Sequence, residues 1–309
     1  MSISVFCFSL SDAQNYQFPD VYSEKILLNP AFSGLSGFTE INLNYSVNFY
    51  NDLYSASYNK YFENIHSGIG FIAQNNRLGK GSLNNLSFSG IYSYKLKLNY
   101  KSIINTAIEI GYIEKSVNSE KLIFSNQINP ITQIINPNVS EYFNKTYRTY
   151  QFSFGTSYIS NKYRMGFSIH NIDKLFFNNN EDIIKPKFTA HFGKIFSVNL
   201  FENKNKLLIT PEIIWLSQNN FHQLIYAVHG IYNIFLTRFF LKQNLKFNIF
   251  ESGITFGLNY VKFRLTYTYN ISFTKYISMP FSSNQITLRY NFGKQKKINI
   301  KNTIYCSNF

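Results

Sequence analysis

Strict alternation of apolar and polar residues returns again and again along this chain. In "GFTEINLNYSVNFY", Ile41, Leu43, Tyr45, Val47 and Phe49 are apolar, and Glu40, Asn42, Asn44, Ser46 and Asn48 between them are polar. Successive side chains of a strand point to opposite faces, so the pattern predicts a β-strand with one dry and one wet face. "FRLTYTYNIS" repeats it, with Phe263, Leu265, Tyr267, Tyr269 and Ile271 set against Arg264, Thr266, Thr268, Asn270 and Ser272. "NQITLRYNF" does so a third time. Comparable runs predict fourteen strands, at 38–50, 53–62, 66–76, 83–98, 102–116, 147–160, 163–172, 187–198, 207–218, 222–232, 234–242, 251–261, 263–273 and 283–293. An even number of strands of about ten residues or slightly more fits an antiparallel transmembrane β-barrel of outer-membrane type.

The connections support that all-β reading independently of hydropathy. Those after the second, fourth, sixth, tenth and twelfth strands are tight, whereas those after the third, fifth, seventh, eleventh and thirteenth are mostly longer. Long and short connections therefore tend to fall at opposite ends, as in outer-membrane barrels. The connection after the eighth strand is longer than this rule, and those after the first and ninth are shorter. "LGKGS", Leu78–Ser82, is glycine-rich but joins two strands, so it reads as a hairpin loop and not a phosphate cradle.

Composition sharpens the solvent question. Only 15% of the 309 residues are charged, against 45% hydrophobic and 18% aromatic, with 32 Phe and 24 Tyr beside one Trp. Soluble domains carry about 25% charged residues, so too few are present to clothe a water-exposed surface. A soluble β-sandwich would also need charge on its polar faces, and here they are mostly Asn, Ser, Thr and Gly, as suits a barrel lumen. The net charge of +14 comes from Lys and Arg scattered singly, apart from Lys294, Lys296 and Lys297. No nucleic-acid motif accompanies it, so nucleic acid is not expected as a partner and outer-membrane lipid is.

At the N-terminus the apolar run Ile3–Leu10 followed by Ser11, Asp12 and Ala13 predicts a signal peptide over 1–13, without a basic start. Residues 14–37 then form an N-terminal periplasmic arm, 38–293 the barrel and 294–309 a basic tail. With Cys7 in the leader, Cys306 alone remains, and no internal disulfide is expected. The arm holds "LLNPAFSG", Leu27–Gly34. Pro30 fixes its own φ and keeps Asn29 extended, and Gly34 can adopt angles closed to other residues or admit a close neighbour. Asn29, Pro30 and Gly34 are thus a structural motif, an ordered turn expected at the periplasmic rim that steers the chain into the wall or lumen.

Chemistry is sparse. His66, His170, His191, His222 and His229 form no HExxH or other metal spacing, so no metal or cofactor is expected. His66 and Ser67 are adjacent on a strand and point apart. His170 shares the polar face of its strand with Arg164 and Ser168 and reads as a hydrogen-bonded lumen residue. A hydrolase in the wall would require His170 or His229 to meet a serine and an acid within about 3 Å. No catalytic residue is assigned.

The succession of phrases resembles the PorP/SprF family of the type IX secretion and gliding apparatus of Bacteroidetes. It begins at "LLNPAFSG" and continues through "SGIGFIAQNNRLGKGSLNNLSFSGIYSYKLKL", "KLIFSNQIN", "FGTSYISNKYRMGFSIHNI", "LTYTYNIS", "SSNQITLRYNF" and "YCSNF". Ser125, Asn126, Asn129 and Asn270 depart from the family's usual Gly and Asp residues. The resemblance implies a non-enzymatic outer-membrane component with periplasmic termini. Its implied partners are other type IX proteins, including a peptidoglycan-associated lipoprotein, and large secreted or surface-anchored cargo. The loops Ser116–Thr146 and Asp173–Pro186 would then face outward. The other class to weigh is a transport pore for a small hydrophobic or polar solute, since about fourteen strands can enclose a lumen.

Overall fold

The computed structural model describes residues 18–49, 51–118, 144–176, 184–199, 206–246, 249–274 and 277–292. The expected leader, the start of the arm, the basic tail and the middles of both long loops lie outside them.

The strands run antiparallel in chain order: β1 Thr39–Asn48, β2 Asn51–Phe62, β3 Ser67–Leu78, β4 Leu83–Asn99, β5 Ser102–Asn118, β6 Asn144–Ser160 and β7 Tyr163–His170. They continue with β8 Lys187–Lys194, β9 Phe196–Asn199, β10 Lys206–Gln218, β11 Phe221–Tyr232, β12 Phe235–Asn244, β13 Ile249–Tyr260, β14 Phe263–Thr274 and β15 Ile277–Phe292. β15 pairs with β1 from Thr39↔Phe292 to Asn48↔Ser283, and with the remaining pairings this closes the sheet on itself. Closure removes the free edges that lipid cannot satisfy.

All fourteen predicted strands are present, and the eighth is broken in two. β8 pairs with β10 over Glu212–Gln218 and β9 with β10 over Lys206–Ile209, so the two pieces make one stave of a fourteen-stranded barrel. Between them Ile195 N donates to Lys162 O, and on β10 the junction falls at Thr210 and Pro211. Proline has no N–H to give a neighbouring strand, which suits a place where the ladder is already interrupted. Three strands run past the sequence-based bounds: β5 and β6 stay paired to Asn118↔Asn144, and Thr274↔Ile277 extends β15 well before 283. The expected hairpin loop at Leu78–Ser82 is a single 3₁₀ turn over Gly79–Gly81, with both glycines at positive φ.

The wall is turned inside out relative to a soluble protein. On β1, Asn42, Asn44 and Ser46 are buried while Leu43 and Tyr45 are exposed. On β14, Arg264, Thr266, Thr268 and Asn270 are buried and Phe263, Leu265, Tyr267 and Tyr269 are exposed. Aromatic contacts gather near both ends of the outer face: Tyr45–Tyr54 and Tyr112–Tyr150 toward the long connections, Tyr163–Phe192 and Phe263–Tyr290 toward the short turns. Such girdles mark the two membrane–water boundaries.

Candidate functional site: a segment seated in the lumen

The chain before β1 does not stay at the rim. Phe18, Tyr22, Ile26, Leu28, Ala31 and Leu35 are buried, and they lie against inward-facing apolar residues of the wall. Tyr22 and Leu28 pack with Ile214, Leu216, Ile225, Ala227 and Phe240 from β10, β11 and β12. Ile26 and Ala31 meet Ile72, Ile91 and Ala107, and Leu35 meets Ile103 and Ile159. Each fully buried apolar side chain of this size contributes about 1.5–3 kcal/mol, and the contacts lie on both sides of the barrel.

Backbone polar groups of the segment are met by wall side chains. It holds a helical turn, α1 Lys25–Leu28, and a 3₁₀ turn over Pro30–Phe32. Leu28 O accepts from Ser168 Oγ and Thr189 Oγ1, each at 2.9 Å. Ser33 O accepts from Ser93 Oγ at 2.8 Å and Asn105 Nδ2 at 3.1 Å, and Gly34 O from Lys95 Nζ at 3.0 Å. Gly34 N donates to Asn59 Oδ1 at 2.6 Å. A buried polar group left unmatched costs about 1–3 kcal/mol, so these wall residues are the condition for an irregular chain to lie in the lumen.

Asn29, Pro30 and Gly34 sit at the centre of this arrangement. Asn29 Oδ1 accepts from Ala31 N at 2.9 Å and so caps the 3₁₀ turn that Pro30 begins. Its Nδ2 crosses to the wall and donates to Thr156 O at 3.0 Å and Phe167 O at 3.2 Å. The niche exists because Gly155 has no side chain: a Cβ there would collide with Asn29 Oδ1 and come within 3.0 Å of Pro30 Cδ. Gly34, at φ +70, lies so close to Gly68 of β3 that a Cβ on Gly68 would be 2.7 Å from Gly34 Cα. An ordered turn was legible in the motif, but its contacts on β3, β6 and β7 were not.

The first turn is held by charge. Asp20 Oδ2 is ion-paired to Arg238 Nη1 and accepts from Thr255 Oγ1 at 3.3 Å, while Asp20 N donates to Gln285 Oε1 at 2.9 Å. Tyr22 stands edge-on to His229 at 4.3 Å, and the Arg238 guanidinium lies 5.0 Å over its ring. Glu24 Oε2 accepts from Asn42 at 2.7 Å and Asn44 at 2.9 Å, and Oε1 from Ser57 at 3.0 Å. Burial pushes the Glu24 carboxyl up to about 7, although the Arg289 guanidinium and the Ser57 and Asn42 hydrogen bonds oppose the rise. Burial also holds the Lys25 ammonium well below its usual range, helped by Arg289, Arg164, Arg264 and Arg238.

The histidines that could have signalled a hydrolase belong to the anchoring. His170 Nε2 lies 3.3 Å from both Ser168 Oγ and Leu28 O, and its Nδ1 lies 3.5 Å from Glu109 Oε2. The three residues fall in the order of a triad, but Ser168 is fully buried and its hydroxyl is already bound to Leu28 O. No substrate carbonyl can approach it in this state, and the spacings exceed about 3.2 Å, the reach of proton transfer. Toward the long connections the segment floors an open cavity of about 110 Å³ among the described residues. Phe18 and Leu28 line its base, and Asn76, Asn85, His170 and Lys187 its walls.

A closed fourteen-stranded barrel with an apolar outer face, two aromatic girdles and a lumen occupied by its own N-terminal chain is an outer-membrane protein. The family described as type IX secretion system membrane protein PorP/SprF matches residues 10–290, and the chain belongs to it. No curated protein matches. Among solved structures, a Pseudomonas aeruginosa FadL homologue is 7% identical, with 83% of this chain and 90% of that one covered at a TM-score of 0.47. The KdgM porin is 8% identical over 82% and 99% at 0.37, and LpxR from Salmonella typhimurium 8% over 82% and 100% at 0.40.

Proposed function

We propose that this type IX secretion membrane component is a non-enzymatic docking platform that assists the export or surface attachment of particular cargo proteins. The observation that carries this reading is the occupied lumen. Residues 18–35 are tied to strands around the barrel by apolar contacts, hydrogen bonds and the Asp20–Arg238 ion pair. A wall that spends its inward side chains on its own chain suits a component that acts through its ends. The short turns and both termini then face the periplasm, where other type IX proteins, including a peptidoglycan-associated lipoprotein, engage it. The long connections after β5 and β7 face outward toward cargo.

The test is deletion in the native host followed by quantification of each type IX cargo in the medium and on the cell surface. Loss of one or a few cargoes is expected; undiminished secretion and attachment of all of them would overturn the reading. A solute pore would instead conduct in planar bilayers, and the seated segment weighs toward a closed trace.

A further inference from the structure

β4, β5 and β6, of 17 residues each, stand taller than β7, and β5 stays paired with β6 from Ser102↔Ser160 to Asn118↔Asn144. β7, by contrast, pairs with β6 only over Phe154–Ile159. Asn171, at φ 58, turns the chain away, and the helical turn α2 Asp173–Phe176 closes the ladder. Ile172 N donates to Phe152 O at 2.8 Å and Phe152 N to Asp173 Oδ1 at 3.2 Å.

Phe152 therefore points its backbone N–H and C=O toward the β7 side. The two-residue repeat of a strand gives Tyr150, Arg148 and Thr146 the same direction. Among the described residues none of these three has a backbone partner there, and Tyr150 O accepts only from the neighbouring Thr149 Oγ1. The place is in water, since Arg148 and Glu114 pair at 2.8 Å one step beyond the Tyr112–Tyr150 girdle contact. That ion pair draws the Arg148 side chain back over β5, so it does not blunt the edge as strand-edge charges commonly do.

We propose that the upper edge of β6 receives an extended, acidic segment of a partner protein, which adds to the wall as one more strand. The proposal rests on the docking role above and names its surface. Three outward N–H and C=O pairs supply the main-chain recognition of strand addition. The charge follows from the surroundings: Arg148 is matched by Glu114 and Lys174 by Asp173, while Lys145, next to Thr146 on β6, adds positive charge with no carboxylate paired to it among the described residues. Natural proteins cover or shorten such an edge; the start of β15, Ile277–Ser282, likewise runs past β1, but among the described residues only the β6 edge carries this cluster of cations.

The experiment has two parts. In the isolated detergent-solubilised protein, hydrogen exchange should be fast at the amides of Thr146, Arg148 and Tyr150 and slow at Tyr147 and Thr149, which face β5. Protection of all five would mean that the chain's own residues 119–143 occupy the edge, and would overturn the proposal. In the native host, Thr146→Pro with Arg148→Pro removes two edge donors without touching a donor to β5. It should lower the type IX cargo recovered with the tagged barrel at least tenfold, whereas Arg148→Ala should change it less than twofold. Thr146→Asp with Arg148→Glu, which leaves the backbone intact, should repeat the loss if the proline pair fails to show heat-modifiable migration. Full recovery with that acidic pair, or a photo-crosslink from position 146 to a second copy of this chain, would overturn the proposal. Cargo lost on deletion but retained in both double variants would remove this edge and leave the docking role standing; cargo indifferent to deletion would remove the role itself.

Discussion

Around Asn29 and at the top of β6 the same barrel treats its backbone in opposite ways. At Asn29 an irregular segment has been brought into the lumen, and wall side chains from β2, β4, β5, β7 and β8 meet its carbonyls and amides. At Thr146, Arg148 and Tyr150 a regular strand runs past its neighbour and presents backbone to the outside. Matching buried polar groups fixes a structure, while leaving exposed ones unmatched keeps a place for something else. The first region is therefore built to hold its own chain, and the second to be completed by another.

The largest way to break that contrast is at the charged anchor. Arg238→Ala strands Asp20 as a buried carboxylate without its guanidinium, a loss of about 3–5 kcal/mol in comparable sites. The seated segment should detach, seen as protease cleavage near residue 20 and channel openings in planar bilayers where the wild type stays closed. Gly155→Val fills the Asn29–Pro30 niche and should cost about 1–3 kcal/mol by overpacking, read as a lower heat-modification temperature. Asn29→Ala deletes the cap on Ala31 N and two bonds to the wall, and about 1–2 kcal/mol is expected from the same measurement.

A further test is the effect of pH. The Glu24 carboxyl is raised on docking from 4.5 to about 7, so the seated state favours its protonated form. Docking is then most secure below about 4.5, weakens as pH rises through about 7 and levels off above that. Hydrogen exchange at Lys25–Leu28, corrected for intrinsic rates, should be slower at pH 5 than at pH 8, and Glu24→Gln should flatten the difference. None of these four changes should alter exchange at Thr146 or Arg148; coupled movement there would erase the distinction between the two regions.

The wall was legible because a membrane barrel imposes one rule on every residue of a strand. Leu43 must face lipid and Asn44 the lumen, and a two-residue period written fourteen times survives errors at any single end. The extra reach of β5, β6 and β15 was not legible, since above the girdles the rule relaxes and Lys115, Lys145 and Arg148 look like loop residues. The lumen segment was hidden for another reason. Its turns are too short for periodicity, and each contact that fixes it comes from far along the chain. One signal was available: Ile214, Leu216, Ile225, Ala227 and Phe240 are apolar at positions whose alternation points inward, and an inward apolar patch needs a cover. The motif Asn29, Pro30 and Gly34 reads locally as a turn, and nothing local could say that Gly155 and Gly68 had been left bare to receive it.

The bond from Asp20 N to Gln285 Oε1 joins residues 265 apart in sequence. Contacts so remote form late, because the loop between them must first be ordered. The chain ahead of β1 cannot be secured until β12, β13 and β15 stand beside it, and β15 is the strand that makes the seam with β1. During biogenesis the protein should thus pass through a stage with most of its wall inserted and its centre still hollow, leaky until the first and last parts of the chain are locked in one closing event.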